Sequence, residues 1–232
     1  MPTPSLSLLV GSNAVTLSMS IPSRTADAKI KAEIKKVLWK AAVKSRSIIE
    51  AKTKNLLKKA ITNTPEYQSV VGGALKFEFG IPEGHVKFNE IISEWIDSVE
   101  AVVRPVKSSP NMLMRVRGVQ SNYSDVLALD GATQEPTNTR GIHGPPLEWL
   151  RWLLLEGSNF VVMDAQLGGD RKGHSRTQGP HIMLPDPKRN KLYKVPERYQ
   201  GVKKDNFITR AIDNVKPEIE AMIAIEFVRR VK

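Results

Sequence analysis

Residues 26–61 read ADAKIKAEIKKVLWKAAVKSRSIIEAKTKNLLKKAI, and this segment decides the fold because no other part of the chain keeps one period for so long. Apolar and small side chains recur every three or four residues, which is the spacing of one face of an α-helix. That face carries Ile30, Ile34, Val37, Leu38, Ala41, Ser45, Ile48, Lys52 and Leu56. Thr25 is suited to cap the start, and Asn63, Thr64 and Pro65 end the pattern. The segment predicts a helix of about 36 residues, or about 54 Å.

The rest of the chain predicts shorter helices and strands around this helix. A period of two over residues 5–21 indicates a hairpin or one bent strand. Thr64, Pro65 and Glu66 have the order of an N-cap followed by the first turn of a second helix. The other predicted elements are an amphipathic helix at 83–99, strands at 102–106, 113–119 and 160–163, an apolar segment at 147–155, and a last helix at 205–231 that Pro217 interrupts. These elements indicate a chain that mixes helices and strands.

Two long polar segments, 131–146 and 168–191, are rich in glycine and proline and predict loops. Each exceeds the roughly 12–15 residues that are usual for a connection in a compact domain. Loops of this length are commonly interaction or lid elements, or become ordered only in an assembly. Together with the long helix, they predict a subunit that relies on its neighbours.

The net charge of +11 is concentrated near the N-terminus. Residues 1–59 contain twelve lysines and arginines against three acidic residues, a net charge of +9, whereas residues 60–232 carry a net charge of +2. The chain is therefore a nearly neutral protein with one basic segment. Such a segment can meet nucleic acid, an anionic membrane surface or an acidic protein.

Five lysines of the long helix fall within about 80° of one another on a helical wheel. They are Lys36, Lys40, Lys44, Lys54 and Lys58, which we call the predicted lysine ridge. Two interpretations remain open: the solvated face of an amphipathic helix, or a surface for DNA or an acidic partner. Because no aromatic residues alternate with these lysines, sequence readout by base stacking is disfavoured, and contact with phosphates or acidic side chains remains.

A second basic region lies in the predicted loop at 168–191. It contains Arg171, Lys172, Arg176, Lys188, Arg189 and Lys191. The first three are further candidates for contact with DNA or an acidic partner, and a solvated loop is the alternative.

The sequence contains no pattern for catalysis. The chain has no cysteine, which excludes disulfides, iron–sulfur sites and cysteine nucleophiles. Phosphate-binding loops, dinucleotide fingerprints, zinc-protease motifs and serine nucleophile elbows are missing from the sequence. His174 and His181 lie near several aspartates, but a flexible glycine-rich loop lacks the pre-organisation of a metal site. Glu148 and Glu156 have no accompanying nucleophile. We therefore expect no enzyme activity, metal or cofactor.

Neither a signal peptide nor a membrane-spanning segment is apparent. Serines interrupt the apolar character of the first 23 residues, and no run approaches 18 consecutive apolar residues. These patterns predict a soluble protein made in a reducing cytoplasm, without a membrane partner.

Three segments together resemble a known family. They are residues 147–157 (LEWLRWLLLEG), 175–179 (SRTQG) and 205–212 (DNFITRAI). They resemble neck or tail-completion proteins of tailed bacteriophages, which form the connector between head and tail. Phe207, Ile208, Arg210, Ala211 and Ile212 are similar to a signature that introduces the C-terminal helix in that family. The long segments 131–146 and 168–191 depart from the family pattern.

The resemblance implies a fold and a set of partners. It implies an α+β fold over residues 1–232 as a single domain, in which a long N-terminal helix packs on an antiparallel β-sheet and a helix ends the chain. It also implies a closed ring of six or twelve copies in the virion neck, made in the host bacterial cytoplasm. The ring would join head to tail and line or seal the DNA channel. Its partners would be portal, head-closure or tail-terminator proteins, with non-specific contact to genomic DNA.

Five residues are candidates for the subunit interface of such a ring: Trp149, Trp152, Phe207, Ile208 and Arg210. For the two tryptophans, three residues apart, packing in a core is the alternative. Two other functions also remain open for the chain. One is a soluble nucleic-acid-binding protein that uses the 29–59 helix for phosphate contacts, and the other is an enzyme that uses the His174–His181 loop.

Overall fold

The computed structural model describes the backbone of residues 14–18, 28–81, 83–105, 112–117, 123–135, 146–159, 161–163, 165–169, 181–185 and 191–231. Side chains are described for residue 30 and for 32–81, 83–103, 123–135, 146–159 and 193–231. The described part of the chain contains seven α-helices: α1 Ala28–Thr62, α2 Pro65–Gly72, α3 Ala74–Glu78, α4 Gly84–Asp97, α5 Ser124–Leu127, α6 Trp149–Leu154 and α7 Phe207–Val231. Its strands are β1 Ala14–Ser18, β2 Glu100–Pro105, β3 Met112–Arg117, β4 Val161–Met163, β5 Ala165–Gly169, β6 His181–Pro185 and β7 Lys191–Tyr193.

The predicted α+β fold with an antiparallel sheet is wrong, because the protein is mostly helical. Of the residues whose side chains are described, 72% lie in helices. Among these residues, β2 is the one short strand. The buried apolar side chains come mainly from α1, α4, α6 and α7, so helices build the described core. The backbone pairs β1 and β2 with β3, β4 with β7, and β5 with β6, all antiparallel, as small separate sheets of two or three strands.

The predicted positions of the helices agree better with the structure than the predicted sheet does. α1 spans Ala28–Thr62, within two residues of the predicted 26–61, although Thr25 lies outside the described residues. α2 begins at Pro65 as predicted, and the hydroxyl of Thr64 accepts a hydrogen bond from the backbone N–H of Tyr67. α7 continues through Pro217, so the predicted interruption is wrong.

The predicted loop at 168–191 requires a correction as well. Residues 181–185 form β6, whose backbone pairs with residues 165–169 of β5. The run from Ile182 to Leu184 is short, apolar and suited to a strand. Because glycines and prolines surround it, the sequence pattern indicated a loop instead. In the other predicted loop, 131–146, residues 136–145 lie outside the described part. On either side of them, the backbone N–H of Gln134 donates to the carbonyl of Leu147, and the N–H of Leu147 donates to the carbonyl of Gln134.

The chain divides into two compact units, each made of separate segments. Unit 1 comprises residues 1–58, 95–121 and 213–232, and unit 2 comprises residues 59–94 and 122–212. The described core of unit 1 includes Leu38, Ala41, Ala42, Ile49, Trp95, Ile96, Ala101, Ile219, Ile223 and Phe227. Within it, the carboxylate of Glu50 accepts a hydrogen bond of 3.1 Å from the backbone N–H of Ala101, which joins α1 to β2.

Unit 2 is organised around an aromatic cluster. Phe88 of α4 makes edge-to-face contacts with Trp149 and Phe207, with ring centroids 5.2 and 5.7 Å apart. Phe79 lies against Trp152 at 5.9 Å and against Tyr193 at 6.2 Å. Such pairs add to the free energy gained by burying the rings, so this cluster contributes to the stability of unit 2.

Candidate interaction surface on helix α1

Lys36, Lys40 and Lys44 form an exposed row along two turns of α1. Lys36 lies 3.8 Å from the carboxylate of Glu33, but both side chains are more than 60% exposed, and such a pair stabilises little. Lys40 and Lys44 make no ion pair with any residue that the structure describes. The positive charge of this row is thus not balanced within the described part of the chain.

The other two lysines of the predicted ridge differ from this row. The ammonium of Lys54 donates a hydrogen bond of 3.0 Å to the backbone carbonyl of Asp97 and lies 3.6 Å from the carboxylate of Glu50. Its side chain is only 24% exposed, so Lys54 holds α1 to the end of α4 within unit 1. Lys58 is exposed and interacts within the chain. We therefore reduce the candidate surface to Lys36, Lys40 and Lys44, and call these three the lysine row.

Exposed valines border the lysine row on both sides. At about 100° per residue, Val43 and Val37 lie on opposite edges of the arc that the three lysines occupy. Val43 is 50% exposed and Val37 is 44% exposed. An exposed aromatic side chain, Trp39, lies beyond Val43, so an aromatic ring is available beside the lysine row although none lies within it. The row is accordingly a basic strip between apolar edges.

The buried face of α1 is narrower than the sequence predicted. Ile30 and Ile48 were assigned to the buried face, yet they are 54% and 38% exposed, and Ile49 is buried instead. Leu38, Ala41 and Ser45 are buried as expected. One flank of the predicted apolar face is therefore left open to solvent.

A buried carboxylate fixes α7 to α1 within unit 1. Glu226 is 3% exposed, and its carboxylate lies 2.5 Å from the ammonium of Lys52 and 2.7 Å from the guanidinium of Arg230. The hydrogen bonds from Lys52 and Arg230 lower the pKa of Glu226 from 4.5 to about 2. Lys52, which the wheel placed on the apolar face, serves here as the counter-charge of a buried glutamate.

The predicted interface residues of unit 2 lie in its core. Trp149, Phe207 and Ile208 are fully buried, and Trp152 is 4% exposed. The indole N–H of Trp149 donates a hydrogen bond of 3.0 Å to the carbonyl of Gly131. For the two tryptophans, the structure thus places the side chains as the core alternative describes. Their packing is accounted for within one chain.

Arg210, the fifth of these residues, bridges two carboxylates. Its guanidinium lies 2.7 Å from Asp205 and 2.5 Å from the buried Glu66. Partial burial works to lower the pKa of Arg210, but the hydrogen bonds to Asp205 and Glu66 and their negative charges outweigh it, so the pKa is raised. Arg210, in the first turn of α7, therefore neutralises the buried carboxylate of Glu66 in α2.

Asn206, which the sequence reasoning missed, caps α7 and links it to α6. Its side-chain oxygen accepts hydrogen bonds of 3.1 Å from the backbone N–H groups of Ile208 and Thr209. Its amide donates to the Tyr123 hydroxyl at 3.0 Å and to the Leu154 carbonyl at 3.2 Å. Thr209 completes the cap, because its hydroxyl accepts a hydrogen bond of 2.8 Å from the backbone N–H of Asn206. An Asn three residues before a Thr at the start of a helix was the signal available in the sequence.

Two glycines bring the segments after α6 and before α7 into contact. The backbone N–H of Gly157 donates a hydrogen bond of 3.0 Å to the carbonyl of Gly201. A Cβ atom on Gly201 would lie 1.8 Å from the carbonyl oxygen of Leu153, and one on Gly157 would lie 2.6 Å from the nitrogen of Gly201. Glycine is required at both positions because the backbones approach too closely for a side chain.

The described residues contain no group of three or more histidine or acidic side chains that is placed to hold a metal ion. His174 lies outside the described residues, as do Arg171, Lys172 and Arg176, and the side chain of His181 is likewise not described. Arg151 lies 3.7 Å from Glu148 and 2.8 Å from Glu156, and the hydrogen bond to Glu156 raises the pKa of Arg151. The two glutamates that flank α6 thus share one arginine.

Comparison with known proteins found no matching family model, no similar curated protein and no similar solved structure. Among the helices that the structure describes, none is both long and apolar enough to span a lipid bilayer.

Proposed function

We propose that this chain is a structural subunit of a phage neck, which assembles into a closed homo-oligomeric ring that joins head to tail and lines or seals the DNA channel. One observation carries the assembly part of this proposal: unit 1 exposes apolar side chains along two helices. Of the ten large apolar side chains that are well exposed among the described residues, eight lie on α1 and α7. They are Ile30, Val37, Trp39, Val43 and Ile48 on α1, and Ile225, Val228 and Val231 on α7.

Exposed apolar residues that are scattered singly need no explanation, but a concentration on two helices of one unit supports an interface. Burying the exposed part of a valine or isoleucine contributes roughly 1 kcal/mol, so several such residues together offset part of the free-energy cost of association. The unbalanced lysine row on the same helix adds a charged element that selects the partner.

The location in a phage neck rests on the sequence motifs at 147–157, 175–179 and 205–212. In the structure, the first and last of these form α6 and the start of α7, which Asn206 connects through the carbonyl of Leu154. The ring itself requires no catalytic residues. The absence of catalytic patterns in the sequence is therefore compatible with this function.

Electron microscopy of the purified protein and of virions tests the proposal. We expect ring-shaped particles of uniform diameter from the purified protein, and antibody labelling of this chain at the neck of virions. A protein that is strictly monomeric and missing from virions would contradict the proposal.

The unbalanced charge of Lys40 and Lys44 favours a second candidate, a nucleic-acid-binding protein that contacts phosphates through α1. This candidate predicts a steep dependence of DNA affinity on salt, with a log–log slope of about 0.9 per phosphate contacted. Replacing Lys36, Lys40 and Lys44 by glutamine should then reduce this slope by about 2.7, the value for three phosphate contacts. A slope equal to that of the wild-type protein would exclude this function.

A further inference from the structure

Helix α4 presents an acidic face whose carboxylates are unpaired in the described part of the chain. Its inner side buries Phe88, Ile91 and Ile92, which fixes the opposite side toward solvent. Glu83, immediately before the helix, and Glu90 and Glu94 within it are exposed. None of these three carboxylates makes an ion pair with a described residue, and we call them the acidic row.

One lysine, Lys87, lies in the same region and reduces the net negative charge of this face, but it makes no ion pair with the three carboxylates. Lys87 is half-buried, and its ammonium is hydrogen-bonded at 2.6 Å to the side-chain oxygen of Gln134. Val86, on the same face as Glu83 and Glu90, is 38% exposed. The acidic row is therefore a negative strip beside the exposed Val86. The lysine row is its counterpart, a positive strip between the exposed Val37 and Val43.

The two rows have comparable lengths. Lys36 and Lys44 are eight residues apart, or about 12 Å along the helix, and Glu83 and Glu94 are eleven residues apart, or about 16.5 Å. Each row carries three charges over roughly two to three helical turns. The flexible four-carbon stems of the lysines can accommodate this difference of about 4.5 Å in length.

The exposed valines favour a protein partner for the lysine row over nucleic acid. Phosphate groups would contact Lys36, Lys40 and Lys44 but would leave Val37 and Val43 in water. A helix that carries carboxylates beside an apolar side chain would cover both kinds of group at once. The acidic row, with Val86, has this composition.

The lysine row cannot pair with the same row of another copy, because like charges would face each other. A contact between two different surfaces is heterologous, and repeating it gives a closed ring where the rotation between successive copies closes, or an open filament where it does not. We propose that the lysine row of one protomer docks on the acidic row of its partner, so that the partner for this surface is a second copy of the chain. This inference rests on the proposed ring, whose subunit contact it names.

Charge reversal tests the contact. In one variant, Lys36, Lys40 and Lys44 are replaced by glutamate; in the other, Glu83, Glu90 and Glu94 are replaced by lysine. In each variant alone, the two rows have the same sign, so we expect the concentration for half-assembly to rise by roughly 100-fold. In an equimolar mixture every contact is again between opposite charges, and we expect rings in which the two variants alternate.

A control with the same change in net charge as the lysine variant uses Lys35, Arg46 and Lys203, which are exposed outside both rows. With these three replaced by glutamate, the protein should assemble like the wild type. Circular dichroism and thermal unfolding of each variant verify that it is folded, and the restored assembly of the mixture is itself evidence of folding. The readout is the particle mass measured by native mass spectrometry.

The outcomes are distinct. If the wild-type protein forms rings and both variants assemble as well as it does, or if the mixture fails to assemble, the proposed contact is wrong while the ring stands. Loss of DNA binding without loss of assembly in the lysine variant would show that the row meets phosphates, which also overturns the inference. If the wild-type protein never assembles, the proposed function itself fails.

Discussion

The ammonium of Lys52 lies 2.5 Å from the carboxylate of Glu226, and this ion pair joins α1 to α7 across 174 residues of sequence. The carboxylate is buried, and Arg230 donates to its other oxygen at 2.7 Å. A buried charge is tolerated only where such partners compensate for lost hydration. Two helices of the unit that presents the exposed apolar residues are thus joined by a charged contact.

The first prediction concerns Glu226 and pH. Because the pKa of Glu226 is lowered from 4.5 to about 2, the folded state binds a proton less readily than the unfolded state does. The resulting stability is fully present above pH 4.5 and is lost as the pH falls toward 2. We expect the Glu226→Gln variant to be less stable than the wild type at pH 7, with a difference that shrinks in acid. Urea unfolding between pH 7 and pH 2 measures it.

The matched control is Glu218→Gln, an exposed glutamate of the same helix. Its unfolding free energy should follow that of the wild type across the same pH series. A constant difference between wild type and Glu226→Gln at every pH would mean that the charge of Glu226 is not what stabilises this contact.

The second prediction concerns Asn206. Its replacement by alanine removes the cap of α7 and leaves the Tyr123 hydroxyl and two helix N–H groups without their partner. Tyr123 also has a backbone φ of 58°, an unfavourable conformation that its buried surroundings must maintain. Together, these losses should reduce the unfolding free energy by about 3 kcal/mol. Asn214→Ala, at an exposed position of α7, should change it little, and equal stabilities of the two variants would refute the role of Asn206.

The third prediction concerns Gly201. An alanine there would place its Cβ atom 1.8 Å from the Leu153 carbonyl oxygen, so the segments after α6 and before α7 must separate. We expect a loss of at least about 3 kcal/mol in chemical unfolding, or a loss of folded protein on expression. Gly72→Ala is the control, because no atom lies within 4 Å of the added carbon, and alanine at a helix end is neutral or slightly stabilising. Similar behaviour of the two variants would contradict the close approach.

The fourth prediction concerns the valines beside the lysine row. Replacing Val37 and Val43 by serine should leave the stability of the monomer nearly unchanged, since both side chains are about half exposed. Assembly should weaken by roughly tenfold, because the apolar area that the partner covers is reduced. The control is Val202→Ser, the same kind of replacement at an exposed valine of unit 2. Analytical ultracentrifugation compares the three proteins, and equal assembly of all three would count against this surface.

Local signals predicted much of the helical structure. The period of α1 gave its ends within two residues, and the order Thr64, Pro65 and Glu66 gave the start of α2. These features depend on neighbouring residues in the sequence, so they can be read without knowledge of the fold. The apolar residues of α4 likewise gave the helix and the side of it that is buried.

Features that depend on long-range contacts could not be predicted in this way. The period of α1 assigned Ile48 to the interior, but the neighbouring elements cover Ile49, and only the packed structure decides between adjacent residues. Glu226 looks like a surface residue until Lys52 and Arg230 are found beside it. The sheet was expected from short alternating runs and from a family resemblance, whereas the described core is built by helices.

The mass of the assembled wild-type particle tests the central claim most directly. Native mass spectrometry should show one dominant species at a fixed multiple of the 25.8 kDa chain, with the same multiple over a wide range of concentrations, because a closed ring has a defined number of subunits. A species of 25.8 kDa at every concentration, or an open series of masses without a preferred size, would contradict the ring.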